Sequence, residues 1–167
     1  MEDLSRFNDS SFDLVISVHA MSYVEDISKV ISETSRILQV NGNFVLCVLH
    51  PIQIVLWEAL EEKSFDKIYP YFKTTRDLWD WTDEKNQSIA TFGQTYHNFE
   101  DWSNSLIANG FTITRVIEPK VYSTKQLQEM EIDEIPYHEK GLRPDHDKFI
   151  NVGQIIPFSL IISAKKI

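Results

Sequence analysis

Three of the five histidines sit where a chain of alternating strands and helices presents chemistry. His50 closes the apolar run "NFVLCVLHP", His97 stands in "TYHNFEDW" just ahead of a helical pattern, and His19 directly follows "FDLVISV". Imidazole titrates near neutrality, so His50 or His97 could serve as a general base. Each has a plainer reading. A histidine before a proline can simply hydrogen-bond neighbouring backbone, and Tyr96 and His97 can pack and cap a helix rather than close the substrate side of a site. Trp102, with Trp79 and Trp81, could form a substrate wall or belong to a core or interface. A metal reading fails on spacing. "PYHEKGLRPDHDKF" holds His138 and His146 with Glu139, Asp145 and Asp147, but has neither a helical pair of histidines four apart nor a cysteine partner. No metal site is expected.

The elements that would position these groups can be read from hydrophobic patterning. "FDLVISV", residues 12–18, is a nearly continuous apolar run bounded by Asn8, Asp9, Ser10 and Ser11, the pattern of a strand covered on both faces. In "VEDISKVISETSRILQVNGN", Ile27, Val30, Ile31, Thr34, Ile37 and Leu38 recur at spacings of three and four. Asp26 is the expected N-cap of this helix and Asn41-Gly42 its stop. "NFVLCVLHP", residues 43–51, predicts a second buried strand, so the two strands form a parallel pair with a right-handed crossover. "IQIVLWEALEE" reads as a helix, and the remainder up to residue 95 as an irregular insertion whose large aromatics need something to pack on. Asn98 caps a third helix that Gly110 ends, "FTITRVI" (111–117) alternates as a strand, and "PFSLIISA" (157–164) is the last strand. Residues 118–156 read as a polar connection with one short helical patch, "TKQLQEM".

Composition narrows the class. At 167 residues, 43% of them hydrophobic, the chain predicts a single ordered domain. A net charge of -9 with scattered Lys and Arg argues against nucleic acid and anionic membranes as partners. No apolar run is long enough for a membrane span, and the single cysteine, Cys47, excludes an internal disulfide; a cytoplasmic location is expected. The five glycines lie apart, so no glycine-rich phosphate or nucleotide loop is present.

Four segments in order, "FNDSSFDLVISVHAMSYVED", "ISKVISETSRILQVNGNFVLCVLHP", "YHNFEDWSNSLIANGFTITRVIEP" and "FSLIISAKK", resemble the C-terminal part of a class I S-adenosylmethionine-dependent methyltransferase of the small-molecule type. The resemblance implies an α/β fold: a partial Rossmann-like sheet in the family's strand order 4-5-7-6, the last strand antiparallel, with flanking helices. It implies S-adenosylmethionine as cofactor and a small-molecule methyl acceptor as substrate. On the cofactor side it implies contacts from Met1, Glu2 and Asp3 near the adenine and from Val18, His19, Ala20, Met21 and Tyr23 after the first strand. Tyr96 and Trp102 would face the substrate, with His50 or His97 as base. The family's first three strands, its glycine-rich loop and its ribose-binding acid have no counterpart here. That departure leaves strand 12–18 as an expected open edge, to be covered by a homo-oligomer or by a complementing N-terminal fragment. A catalytically inactive oligomerisation or interaction module is the alternative to an enzyme.

Overall fold

The computed structural model describes residues 3–73, 75–83, 85, 87–121 and 152–167. In chain order its elements are β1 (Phe12–Val18), α1 (Ile27–Ile37), β2 (Leu38–Leu49), α2 (Pro51–Glu62), β3 (Thr75–Thr82), β4 (Ser88–Tyr96), α3 (Phe99–Ala108), β5 (Phe111–Ile117) and β6 (Ser159–Lys166). Short 3₁₀ turns occupy Met21–Tyr23 and Phe65–Lys67.

Four strands form one sheet in the order β1-β2-β6-β5. β1 and β2 run parallel, and β6 runs antiparallel to both β2 and β5. This is the expected mixed sheet, with the last strand inserted between its neighbours. Alternation along the strands decides its faces. Phe44, Leu46 and Val48 of β2 and Leu160, Ile162 and Ala164 of β6 point into the core with Val30 and Ile31 of α1 and Trp102 and Leu106 of α3. The opposite face carries Val45, Cys47 and Leu49, all half-buried. On β1 the same face leaves Leu14, Ile16 and Val18 exposed at 48%, 59% and 62%.

That exposure departs from the expectation of a strand covered on both faces. Among the described residues β1 is an edge strand paired with β2 alone, so its apolar content reflects a surface that the described chain does not bury.

α1 forms for the predicted reason. Asp26 Oδ1 accepts from the Lys29 N–H at 3.0 Å, and the buried stripe runs Ile27, Val30, Ile31, Thr34 and Ile37. Its end differs from expectation, because β2 begins at Leu38 with no separate turn at Asn41-Gly42. Those residues lie in an irregularity of the ladder, between the pairs Phe12–Leu38 and Leu14–Asn43, and Asn41 has φ 68°. Lys166 Nζ donates to the carbonyls of Ser35 and Leu38, which supplies the helix end with the donor a glycine cap would have given.

α2 forms where "IQIVLWEALEE" reads as a helix, and the stretch after it, expected to be irregular, holds an antiparallel hairpin, β3 and β4, paired from Thr75–Tyr96 to Thr82–Ser88. The "TKQLQEM" patch and the His138/His146 cluster lie outside the described residues. No helix among the described residues is long and apolar enough to cross a membrane.

Candidate functional site

The carboxyl ends of β1 and β2 carry the first cluster. After Val18 the chain turns sharply at His19, whose φ of 51° lies in the left-handed region that only a minority of non-glycine residues adopt. The His19 N–H donates to the Cys47 carbonyl at 2.8 Å, which extends the parallel ladder by one bond and aims the ring back over β2. Its Nε2 lies 3.3 Å from Ser159 Oγ and 3.7 Å from Cys47 Sγ. Partial burial pushes the His19 pKa down, and burial pushes the Cys47 thiol up against a smaller opposing effect of Ser159. Both groups therefore stay neutral near pH 7, so the pair is not a thiolate–imidazolium nucleophile.

Ala20 and Tyr23 complete the surface of this loop, while Met21 corrects the sequence reading. It is 1% exposed and packs in the core, because the 3₁₀ turn rotates it beneath the sheet. Tyr23 stays half-exposed with its ring 6.3 Å from Phe92 of β4, which ties the hairpin to the loop. Asp3 is exposed, its carboxyl lowered by the hydrogen bonds from Ser5. Met1 and Glu2 lie outside the described residues.

His50 is also placed differently from its expected catalytic role. Its Nδ1 accepts from the Ile52 N–H at 3.1 Å, so the proton sits on Nε2, which donates to Glu118 Oε1 at 2.9 Å. Both ring nitrogens are engaged, and the residue acts as the N-cap of α2 ahead of Pro51. Trp102 is 2% exposed inside the core, edge-on to His97 with ring centroids 5.3 Å apart; α3 turns it toward Leu106 rather than toward an acceptor. His97 is 9% exposed, and its Nε2 is buried with no hydrogen-bond partner among the described residues. Desolvation lowers its pKa, opposed by Asp101 and by the Val24 carbonyl.

A second feature was not legible in the sequence. A cavity of about 190 Å³ lies between α2 and the hairpin. Gln53, Ile54, Trp57 and Glu58 recur one helical turn apart and share a face of α2. Across from them, Gln94 and Tyr96 occupy one face of β4, and Asp77 is the cross-strand partner of Gln94. Tyr69 closes one side, its hydroxyl 3.3 Å from Glu58 Oε1, and its phenol is raised chiefly by the charge of Glu58, with burial and Asp77 adding to it. Leu49 forms the wall toward the sheet. Cys47 and Leu49 project from the same face of β2, so the cavity begins about 7 Å along the strand from the residue that contacts His19.

Residues 1–46, which take in β1, α1 and most of β2, match the family model described as a methyltransferase domain. Over 126 residues the chain is 32% identical to the uncharacterized methyltransferase YbaJ of Bacillus subtilis (strain 168). The chain is thus similar in sequence to methyltransferases. That alignment takes in 72% of this chain and 48% of YbaJ, so the match spans about half the length of the curated relative. The fold agrees with an S-adenosylmethionine-dependent methyltransferase from Mesorhizobium loti, at 21% identity and TM-score 0.63, covering 96% of this chain and 64% of that one. A protein from Listeria monocytogenes assigned to the same class gives TM-score 0.65 at 18% identity, covering 99% of this chain and 66% of that one. Both of those proteins are assigned to the S-adenosylmethionine-dependent methyltransferases. At the carboxyl end of β1, Val18, His19 and Tyr23 stay open to solvent while Met21 does not.

Proposed function

We propose that the chain forms the acceptor-side part of a methyltransferase acting on a small molecule. The observation that carries this reading is the half-open cavity of about 190 Å³ beside Leu49, which adjoins the His19 loop on one face of β2 and is of a size to hold a small molecule. S-adenosylmethionine, when bound, supplies an electrophilic methyl group on a sulfonium. Val18, His19, Ala20 and Tyr23 would hold it along the loop, with Asp3 at the adenine end. The protein's main task is then alignment, since an in-line displacement gains most from holding nucleophile and methyl at contact distance. A protic acceptor also needs a base. Of the two histidines expected in that role, His97 has the unpartnered ring nitrogen, a lowered pKa and a position lining the hollow between α2 and Tyr71.

Calorimetric titration of S-adenosylhomocysteine and S-adenosylmethionine into the chain tests this. Micromolar binding, about -8 kcal/mol, is the expected result. Absence of heat up to millimolar ligand would overturn it for this chain.

The exposed row Leu14, Ile16 and Val18 supports a second reading, an association module whose edge and face are covered by another polypeptide. A second copy of the chain is the simplest cover, pairing β1 with its symmetry mate. Light scattering at micromolar concentration should then give at least a dimer; a monodisperse monomer would sink this reading.

A further inference from the structure

We propose that the cavity between α2 and the β3–β4 hairpin is a recognition site for a cationic nitrogen, an alkylammonium head group carried by the methyl acceptor. The proposal rests on the methyltransferase reading for its purpose and on the cavity's own chemistry for its specificity. Three aromatic side chains, Trp57, Tyr69 and Tyr96, line the space together with two carboxylates, Glu58 and Asp77, and among the described residues no lysine or arginine lines it. Aromatic faces attract cations through the ring quadrupole, and the attraction grows when the cation is desolvated. Carboxylates on two opposing elements add the counter-charge, one from the helix and one from the strand facing it. The charge of Glu58 raises the Tyr69 phenol, with burial and Asp77 adding to it, in keeping with a negative charge on this side of the cavity.

The alternatives fit less well. A phosphate or carboxylate ligand would face two like charges and find no cationic partner among the described lining residues. A purely apolar ligand would strip water from Glu58, Asp77, Gln53 and Gln94 without returning their hydrogen bonds. An ammonium with an alkyl stem satisfies both halves of the lining. The net charge of -9 would also favour the approach of a cation over that of an anion.

The probes are choline and its uncharged isostere 3,3-dimethylbutanol, which share a shape and differ in charge. Titrated into the full chain and followed by calorimetry and tryptophan fluorescence, choline should bind about tenfold more tightly than the alcohol. The double variant Glu58→Gln, Asp77→Asn keeps the side-chain volumes and should lose about tenfold in choline affinity while its thermal melt stays cooperative. Trp57→Phe should remove the fluorescence response and retain part of the binding. Equal affinity for the two probes, no choline binding, or an unchanged affinity in the folded double variant would each overturn the proposal. S-adenosylhomocysteine binding is measured on the same samples. Choline discrimination without cofactor binding would uphold the cation site and remove its methyl-transfer purpose, whereas cofactor binding without discrimination would remove the cation site alone.

Discussion

His50 holds the Ile52 N–H through one ring nitrogen and Glu118 through the other, so its replacement reads as a loss of stability. His50→Ala should cost about 1–2 kcal/mol in urea denaturation, the usual range for a lost N-cap. His50→Asn restores the cap and should recover at least about half of that loss, an outcome a base would not share in an activity assay. His97 makes a separate prediction through pH. Burial depresses its folded-state pKa below the unfolded value of about 6.5, so its contribution to stability is intact above that pH and lost as pH falls through the folded-state pKa. The melting temperature should therefore drop on acidification below about pH 6.5, and His97→Gln should flatten that drop. His19 shifts in the same direction and contributes with the same sign. Of the residues around His19, the sequence revealed the loop but not Cys47 and Ser159, since neither strand register nor the proximity of positions 140 apart is written in local patterning.

At the scale of elements, helices were the legible part and the hairpin was not. Asn98 shows why the helices could be read. Its side chain accepts from the Asp101 N–H while Asp101 accepts from the Asn98 N–H, a reciprocal cap visible as a polar residue followed three positions later by an acid. Asn98→Ala should lower stability by about 1 kcal/mol, measured by chemical denaturation, and fray α3 from its first turn. β3 and β4 escaped because their apolar residues do not mark a buried face: Leu78, Trp81 and Ile89 are exposed, and the charged Asp77 is partly covered. A period-two signal requires one dry face, and this hairpin instead borders a cavity of mixed aromatic and polar lining and solvent. The cavity was invisible for the same reason, being made by two elements that meet only in the folded chain.

Over the whole molecule, the sheet order followed from the order of segments, while the state of its outer face did not. An apolar strand reads alike whether it is covered or left open, and only the coordinates separate Val45, half-buried, from Ile16, largely exposed. Ile16→Lys places a charge at the middle of that row. It should shift light-scattering mass toward the monomer while changing the stability of the chain by no more than about 0.5 kcal/mol, as expected for an exposed position.

β6 lies between β2 and β5, yet both of those strands precede it in the chain, so the two neighbours must wait for a strand that is translated later. During synthesis β2 and β5 have no hydrogen-bonding partner on their facing edges until residues 159–166 leave the ribosome. The nascent chain therefore carries two open edges for the time needed to make the intervening connection. That delay makes this a fold whose yield in the cell would depend on translation speed and on chaperones that shield strand edges, more than its finished stability would suggest.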